Sequence, residues 1–313
     1  GGDGNDILEG GAGNDILRGG AGADILRGGA GNDILFIDGD DTVIDGGDGR
    51  DTAKVSGEVG LTLDLGAISI EEIHGSSAAD TFTNSGLSGV HIDGGGGDDI
   101  LTGGDGHDIL EGGAGADQVS GGAGDDILYL DVDDIAAGID GGDGRDIGIF
   151  TGNAVSLDLG ATSLEIVDGT EENDSLYTSS TGLQGLIVGG GGGNDIISLG
   201  AGDDMIEGGA GDDVIDGGDG NDNAYFDGDY GDYQITEDSG TISVVDLQGD
   251  DGSDTLINVE RLSFNDVVVH LDGSNNDPFL VGESFELRSG GYLRFSANEL
   301  LSNDLDFDFD ELK

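Results

Sequence analysis

The chain has 313 residues, 67 of them glycine, one proline and no cysteine or tryptophan; 68 acidic residues face nine basic ones, a formal charge of −59. That repulsion excludes nucleic acid as a partner, argues against an anionic membrane surface, and opposes compaction unless counter-charge is supplied. Without cysteine there are neither disulfides nor thiolate metal sites, and no stretch approaches the roughly 18 apolar residues of a membrane span, so no membrane insertion is expected.

A glycine-rich acidic composition invites disorder, but here the aliphatic residues recur at a fixed phase, which argues for a fold. The opening GGDGNDILEGGAGNDILRGGAGADILRGGAGNDILF repeats every nine residues. Its sixth-position acids are Asp6, Asp15, Asp24, Asp33 and Asp51, with Thr42 breaking the series. A second run places Asp99, Asp108, Asp117 and Asp126, then Asp146 after a register slip of two residues; a third places Asp195, Asp204, Asp213 and Asp222. Glycines mark the second and fourth positions: Gly2, Gly4, Gly11, Gly13, Gly20, Gly22, Gly29 and Gly31 in the first run. Gly95, Gly97, Gly104, Gly106, Gly113 and Gly115 follow in the second, and Gly191, Gly193, Gly209 and Gly211 in the third. Glycine at such fixed places signals positive φ or close backbone approach. The chain opens inside a repeat and without an initiator Met, as expected of a piece of a longer protein.

Six residues of turn and three of strand make half a coil, and two halves make a coil of 18 residues. Stacked coils predict two parallel sheets, with the eighth-position aliphatics (Leu8, Leu17, Leu101, Ile206 among them) pointing inward and their neighbours outward. Some fifteen such coils, about 4.8 Å apart, would form a rod of roughly 70 Å. A core one side chain thick cannot hold such a fold alone, so the carboxylate-lined turns must contribute. Carbonyl and carboxylate oxygens are hard donors that suit Ca²⁺; Mg²⁺ fits less well because it keeps its waters. An ion between neighbouring turns on one edge joins residue n to n+18. The expected pairs are Asp6–Asp24, Asp15–Asp33, Asp33–Asp51, Asp99–Asp117, Asp108–Asp126, Asp195–Asp213 and Asp204–Asp222, with Asp126–Asp146 across the slip. About 8 to 12 calcium ions are expected in all.

GGDGNDILE, GGAGNDILR, GGDGHDILE and GGAGDDVID resemble the GGxGxDxUx nonapeptide of RTX (repeats-in-toxin) proteins. The resemblance implies an all-β fold, a parallel β-roll or RTX solenoid with Ca²⁺ between turns and C-terminal capping strands. It also implies secretion by a type I system and folding on external calcium. The expected division is run 1 at 1–54, degenerate coils at 55–93, run 2 at 94–149 and degenerate coils at 150–189. Run 3 follows at 190–225, a capping segment at 226–272, and a linker with a partial domain at 273–313.

Between runs, Leu61, Leu63 and Leu65, like Val155, Leu157 and Leu159, alternate as strands do, and each stretch ends in a decayed turn at Asp80 or Asp174. These stretches read as wider, metal-poor coils that continue the solenoid, with a catalytic insertion as the sharper alternative. The segment 225–264, rich in Tyr and ending DTLINVERLSF, resembles the closing segment of RTX rolls. Beyond GSNNDP, with Pro278, the sequence is similar to the opening strands of cadherin-like repeats of large bacterial surface proteins, and Asp304, Asp306, Asp308 and Asp310 alternate in the manner of a calcium-liganding stretch. Asp277–Pro278 is read as a linker in preference to a self-cleaving bond. His74, His91, His107 and His270 lack zinc spacing and read as solvated, no GxSxG elbow or phosphate loop occurs, and no enzyme is expected. Outward-facing Ile7, Ile16, Ile25, Ile34, Ile100, Ile109, Ile127 and Ile196 suggest a lateral contact or surface ligand as an alternative to plain strand propensity. The expected role is a structural, calcium-rigidified module of a secreted or bacterial cell-surface adhesin. The rivals are the folding and export module of a secreted RTX enzyme (protease, lipase or epimerase) and a self-assembling surface-layer protein.

Overall fold

The computed structural model describes residues 1–86, 89–179 and 185–271; the linker and partial domain expected at 273–313, including Asp277–Pro278 and the cadherin-like stretch, lie outside the described residues. The chain is an all-β parallel solenoid. One face is a 14-stranded sheet beginning with Ile16–Arg18, Ile34–Ile37 and Thr52–Val55, and ending with Asn223–Tyr225, Arg261–Ser263 and Val268–His270. All its strands but the last pair in parallel. The opposite face is divided among sheets of three, five and seven strands. Thirteen parallel strands at about 4.8 Å each give a rod of roughly 60 Å. It is shorter than the expected fifteen coils because, after Phe226, only Ser253–Ile257 and Arg261–Ser263 join the stack in parallel and the other strands fold back on them as hairpins.

Within the runs the register is the expected 18 residues, Leu8 opposite Leu26 and Leu17 opposite Leu35. The eighth-position side chain points inward because strand neighbours alternate faces. Leu26, Leu35, Leu101, Leu110, Leu128 and Ile206 are fully buried, whereas Leu8, on the outermost coil, is only partly covered. Each inward residue touches its counterparts above and below, and the core is a stack one residue deep on each sheet. Gly148 interrupts the aliphatic column opposite Leu128, and the Leu164 side chain occupies the space a Cβ would need.

Between runs the coils widen to 19–21 residues: Leu63 opposes Phe82, Ala53 opposes Ile73, and Leu176 opposes Ile197. The expected strands at 61–65 and 155–159 are shorter than the alternation suggested. Only Thr62–Asp64 and Ser156–Asp158 are extended, and Leu65–Ile68 and Leu159–Ala161 form single helical turns. Leu65 and Leu159 are still fully buried. A helical turn absorbs the extra residues of a wide coil while dropping one leucine into the core, which a longer strand could not do without breaking register. Ser69 and Ser163, which follow these turns, both have φ +53°.

The last coil is closed by antiparallel strands. Ser253–Ile257 lies parallel on Val214–Asp216 and carries Thr241–Asp246 and Tyr233–Asp238 beyond it; Arg261–Ser263 lies on Asn223–Tyr225 and carries Val268–His270. Phe226, Tyr230, Tyr233 and Phe264 pack over the end of the core with ring centroids 5.0–5.5 Å apart.

Candidate metal centre

The turns form two edges, and each edge carries a ladder of aspartates. The backbone amide of one sixth-position aspartate donates to Oδ1 of the aspartate one coil on: Asp6 to Asp24 at 2.7 Å, Asp15 to Asp33 at 2.8 Å and Asp33 to Asp51 at 2.7 Å. Asp99–Asp117, Asp108–Asp126, Asp195–Asp213 and Asp204–Asp222 repeat the contact at 2.7–2.9 Å, and Asp126–Asp146 spans its 20-residue separation at 2.9 Å. Every pair joined in the sequence analysis is brought together.

The second oxygen is different. Oδ2 of Asp15, Asp24, Asp33, Asp51, Asp99, Asp108, Asp117, Asp126, Asp146, Asp195, Asp204, Asp213 and Asp222 is buried and has no hydrogen-bond partner. A buried carboxylate oxygen without donor or counter-charge costs several kcal/mol in real proteins, and here the cost recurs along both edges. Burial, followed by neighbouring carboxylates, raises the acids of Asp99 and Asp195 to about 7 and those of Asp146 and Asp222 to about 6.

The glycines shape the space beside these oxygens. The second- and fourth-position glycines named above have φ between +93° and +141°, which turns the backbone so that a coil can lie against the one before it. At Gly29, for example, a Cβ would overlap the Gly11 carbonyl. The first glycine of the doublet, not singled out above, does something else. A Cβ at Gly28 would overlap both Asp33 Oδ2 and the Gly46 carbonyl one coil on; at Gly103 it would overlap Asp108 Oδ2 and the Gly121 carbonyl. Its signal in the sequence was the doublet itself, since a positive φ alone requires only the second member. The first glycine thus leaves open a cradle lined by carboxylate and carbonyl oxygens. Among the described residues, no three Asp, Glu or His side chains form a metal set by themselves, so backbone carbonyls must complete each site. Paired carboxylates with carbonyls fit a hard cation that takes six to eight oxygens, as Ca²⁺ does.

In the degenerate turns the second oxygen has partners from the chain itself. Asp80 continues the ladder by accepting from Leu61, and Asp174 by accepting from Val155. Their second oxygens, however, accept from the amides of Ser76 and Thr170, which stand where the nonapeptide has glycine, at 2.8 and 2.6 Å. Asp134 takes the Asp117 amide on one oxygen and the Asp131 amide on the other, both at 2.8 Å. Counting in nines also missed Glu71, Glu165, Asp254 and Glu260, which accept the amides of Asp51, Asp146, Asp213 and Asp222.

The reading of the histidines as solvated is corrected at His74, while His107 is exposed and also takes a partner. The His74 ring nitrogens lie 3.0 Å from Asp93 and 3.1 Å from Glu72, because the parallel register stacks these strands on one face, and His107 Nδ1 accepts the Asp125 amide at 2.8 Å. Of the outward isoleucines, Ile7, Ile16, Ile100, Ile109 and Ile196 are exposed, while Ile25, Ile34 and Ile127 are half-covered by neighbouring coils.

A parallel β-roll with repeated oxygen-lined turns defines a metal-organised repeat module. In agreement, residues 1–35, 91–134 and 189–224 match the family model of the RTX calcium-binding nonapeptide repeat (4 copies). A search of curated proteins finds no match. The chain is therefore similar to RTX calcium-binding repeats over its three runs, and calcium binding in a repeat module is what those repeats imply. No helix among the described residues is long and apolar enough to cross a membrane.

Proposed function

We propose that this chain is the calcium-folded rod of a large secreted or cell-surface adhesin, exported unfolded by type I secretion machinery and rigidified outside the cell. The buried, unpartnered Oδ2 atoms of the nonapeptide aspartates carry this reading. Asp15, Asp24, Asp33, Asp51 and their counterparts supply carboxylates, and the glycines between them supply carbonyls. Without calcium the clustered charge keeps the chain expanded and able to thread an exporter; with calcium, binding free energy becomes folding free energy. Residues 1–54, 94–149 and 190–225 act as calcium-dependent runs, 55–93 and 150–189 as metal-poor spacers, and 226–272 as the cap. The role is structural, with no reaction assigned to the roll. The exposed isoleucines support a lateral contact in the assembled surface.

The test is far-UV circular dichroism during a calcium titration, with magnesium as control. A cooperative coil-to-β transition with calcium alone is expected. A gradual one-site titration, or equal folding in magnesium, would overturn the reading. Concentration-dependent sedimentation in calcium would favour a surface-layer lattice, and a catalytic domain on the same polypeptide would favour the RTX enzyme.

A further inference from the structure

We infer that each run ends in a mixed calcium site outside the nonapeptide pattern, built from the run's last aspartate, a backbone carbonyl and a glutamate: Asp51 with Ser69 and Glu71, Asp146 with Ser163 and Glu165, and Asp222 with Asn258 and Glu260. The inference rests on the reading of the nonapeptide turns as calcium sites and extends it to residues that carry no repeat.

The three closures share the donor arrangement of an ordinary turn. Asp51, Asp146 and Asp222 are fully buried, and Oδ2 of each has no partner. Their amides donate to Glu71, Glu165 and Glu260 at 2.8, 3.0 and 2.8 Å, where a nonapeptide amide would meet the next aspartate. Carbonyls correspond as well. The open side of Gly28 faces the Gly46 carbonyl, that of Gly46 faces the Ser69 carbonyl, that of Gly141 faces Ser163, and that of Gly217 faces Asn258. Each aspartate carbonyl then accepts two successive amides, those of Glu71 and Glu72, of Glu165 and Ile166, and of Glu260 and Arg261, at 3.0–3.2 Å.

Geometry explains why the acid is a glutamate. In a nonapeptide turn the first glycine and the aspartate are five positions apart, as in Gly46 and Asp51; in the closures, carbonyl and acid are two apart. Ser69, Ser163 and Asn258 take left-handed φ values of +53°, +53° and +50°, uncommon for residues with a side chain. The chain thus skips most of the turn, and the extra methylene of glutamate spans what the missing residues would have spanned. Three copies, some 95 residues apart, keep both the left-handed residue and the glutamate. A site with two carboxylates and a carbonyl suits Ca²⁺ as the ordinary turns do. Glu71 and Glu165 lie outside every stretch that matches the repeat family, and so does Glu260.

Glutamine tests this cleanly, because its amide oxygen still accepts the aspartate amide while the charge is lost. Calcium bound at saturation would be counted by equilibrium dialysis for the intact chain and for the E71Q/E165Q/E260Q variant, with circular dichroism checking that both are folded. The variant is expected to bind three fewer ions, or to need several-fold more calcium to fill them and to fold. An intact chain that binds calcium, matched by the variant in both count and midpoint, would overturn the closing sites alone. An intact chain that binds none would overturn the nonapeptide reading with them. If the variant fails to fold, crystals of the unmodified chain soaked in terbium decide: anomalous peaks about 2.3–2.6 Å from the three glutamates are expected. Peaks along the nonapeptide edges with none at the glutamates would refute the inference.

Discussion

Asp108 accepts the Val90 amide at 2.6 Å through Oδ1 and leaves Oδ2 buried and unpartnered. Asp108→Asn keeps an acceptor for that amide but removes the anionic oxygen. A several-fold rise in the calcium midpoint, read by circular dichroism, is expected from this charge loss. Gly28→Ala tests the cradle itself, because its Cβ would overlap Asp33 Oδ2 and the Gly46 carbonyl in a residue without a positive φ. A cost of roughly 2 kcal/mol or more is expected in calcium-saturated urea unfolding. Protons should partly replace the metal. The acids of Asp99 and Asp195 are raised to about 7, and those of Asp146 and Asp222 to about 6, by burial first. For an acid raised on folding, the folded chain binds more protons than the unfolded one between the two values, so stability falls as pH rises through that window. In chelator, the chain should therefore gain β signal as pH is lowered from 7.5 to about 4.5; a flat or opposite response would contradict the burial of these carboxylates.

At the scale of elements, a strand of three residues contributes one inward side chain and little else. Leu110 is fully buried between Ile92 and Leu128 in the long sheet. Leu110→Ala should cost about 2–5 kcal/mol, and Leu8→Ala, on the partly covered first coil, distinctly less; urea unfolding in saturating calcium compares them. The turns were legible in the sequence because a nine-residue period constrains nearly every position: glycine for φ, aspartate for the ladder, aliphatic for the core. The wide coils were less legible. Leu61, Leu63 and Leu65 alternate as a strand would, yet Leu65 opens a helical turn, because periodicity records which residues are buried and not the backbone that buries them. The sequence marked these coils as metal-poor, but how their turns satisfy both carboxylate oxygens came only from the structure. Ser76 and Thr170 differ from glycine by a side chain, but what matters is that their amides reach the oxygens left bare elsewhere.

Over the whole molecule, a solenoid without closure would expose two sheet edges at its last coil. Deleting residues 226–271 would leave Val214–Asp216 and Asn223–Tyr225 as open edges and remove the aromatic cluster around Phe264. The truncated chain is expected to sediment as larger species in calcium, or to need more calcium to fold, while the intact roll does neither. The parallel roll, its two edges, the inward aliphatics and the n to n+18 aspartate pairs could all be determined from sequence alone. They follow from a short period in which backbone conformation, burial and metal chemistry each demand a particular residue type. Tertiary structure alone decided what takes over where the period lapses: that Asp254 and Glu260 return after some forty residues to close the ladders of Asp213 and Asp222, and that Glu71 and Glu165 take an aspartate's place. Those contacts depend on how far a wide coil or a hairpin carries the chain before it meets the stack again, and no local spacing encodes that distance.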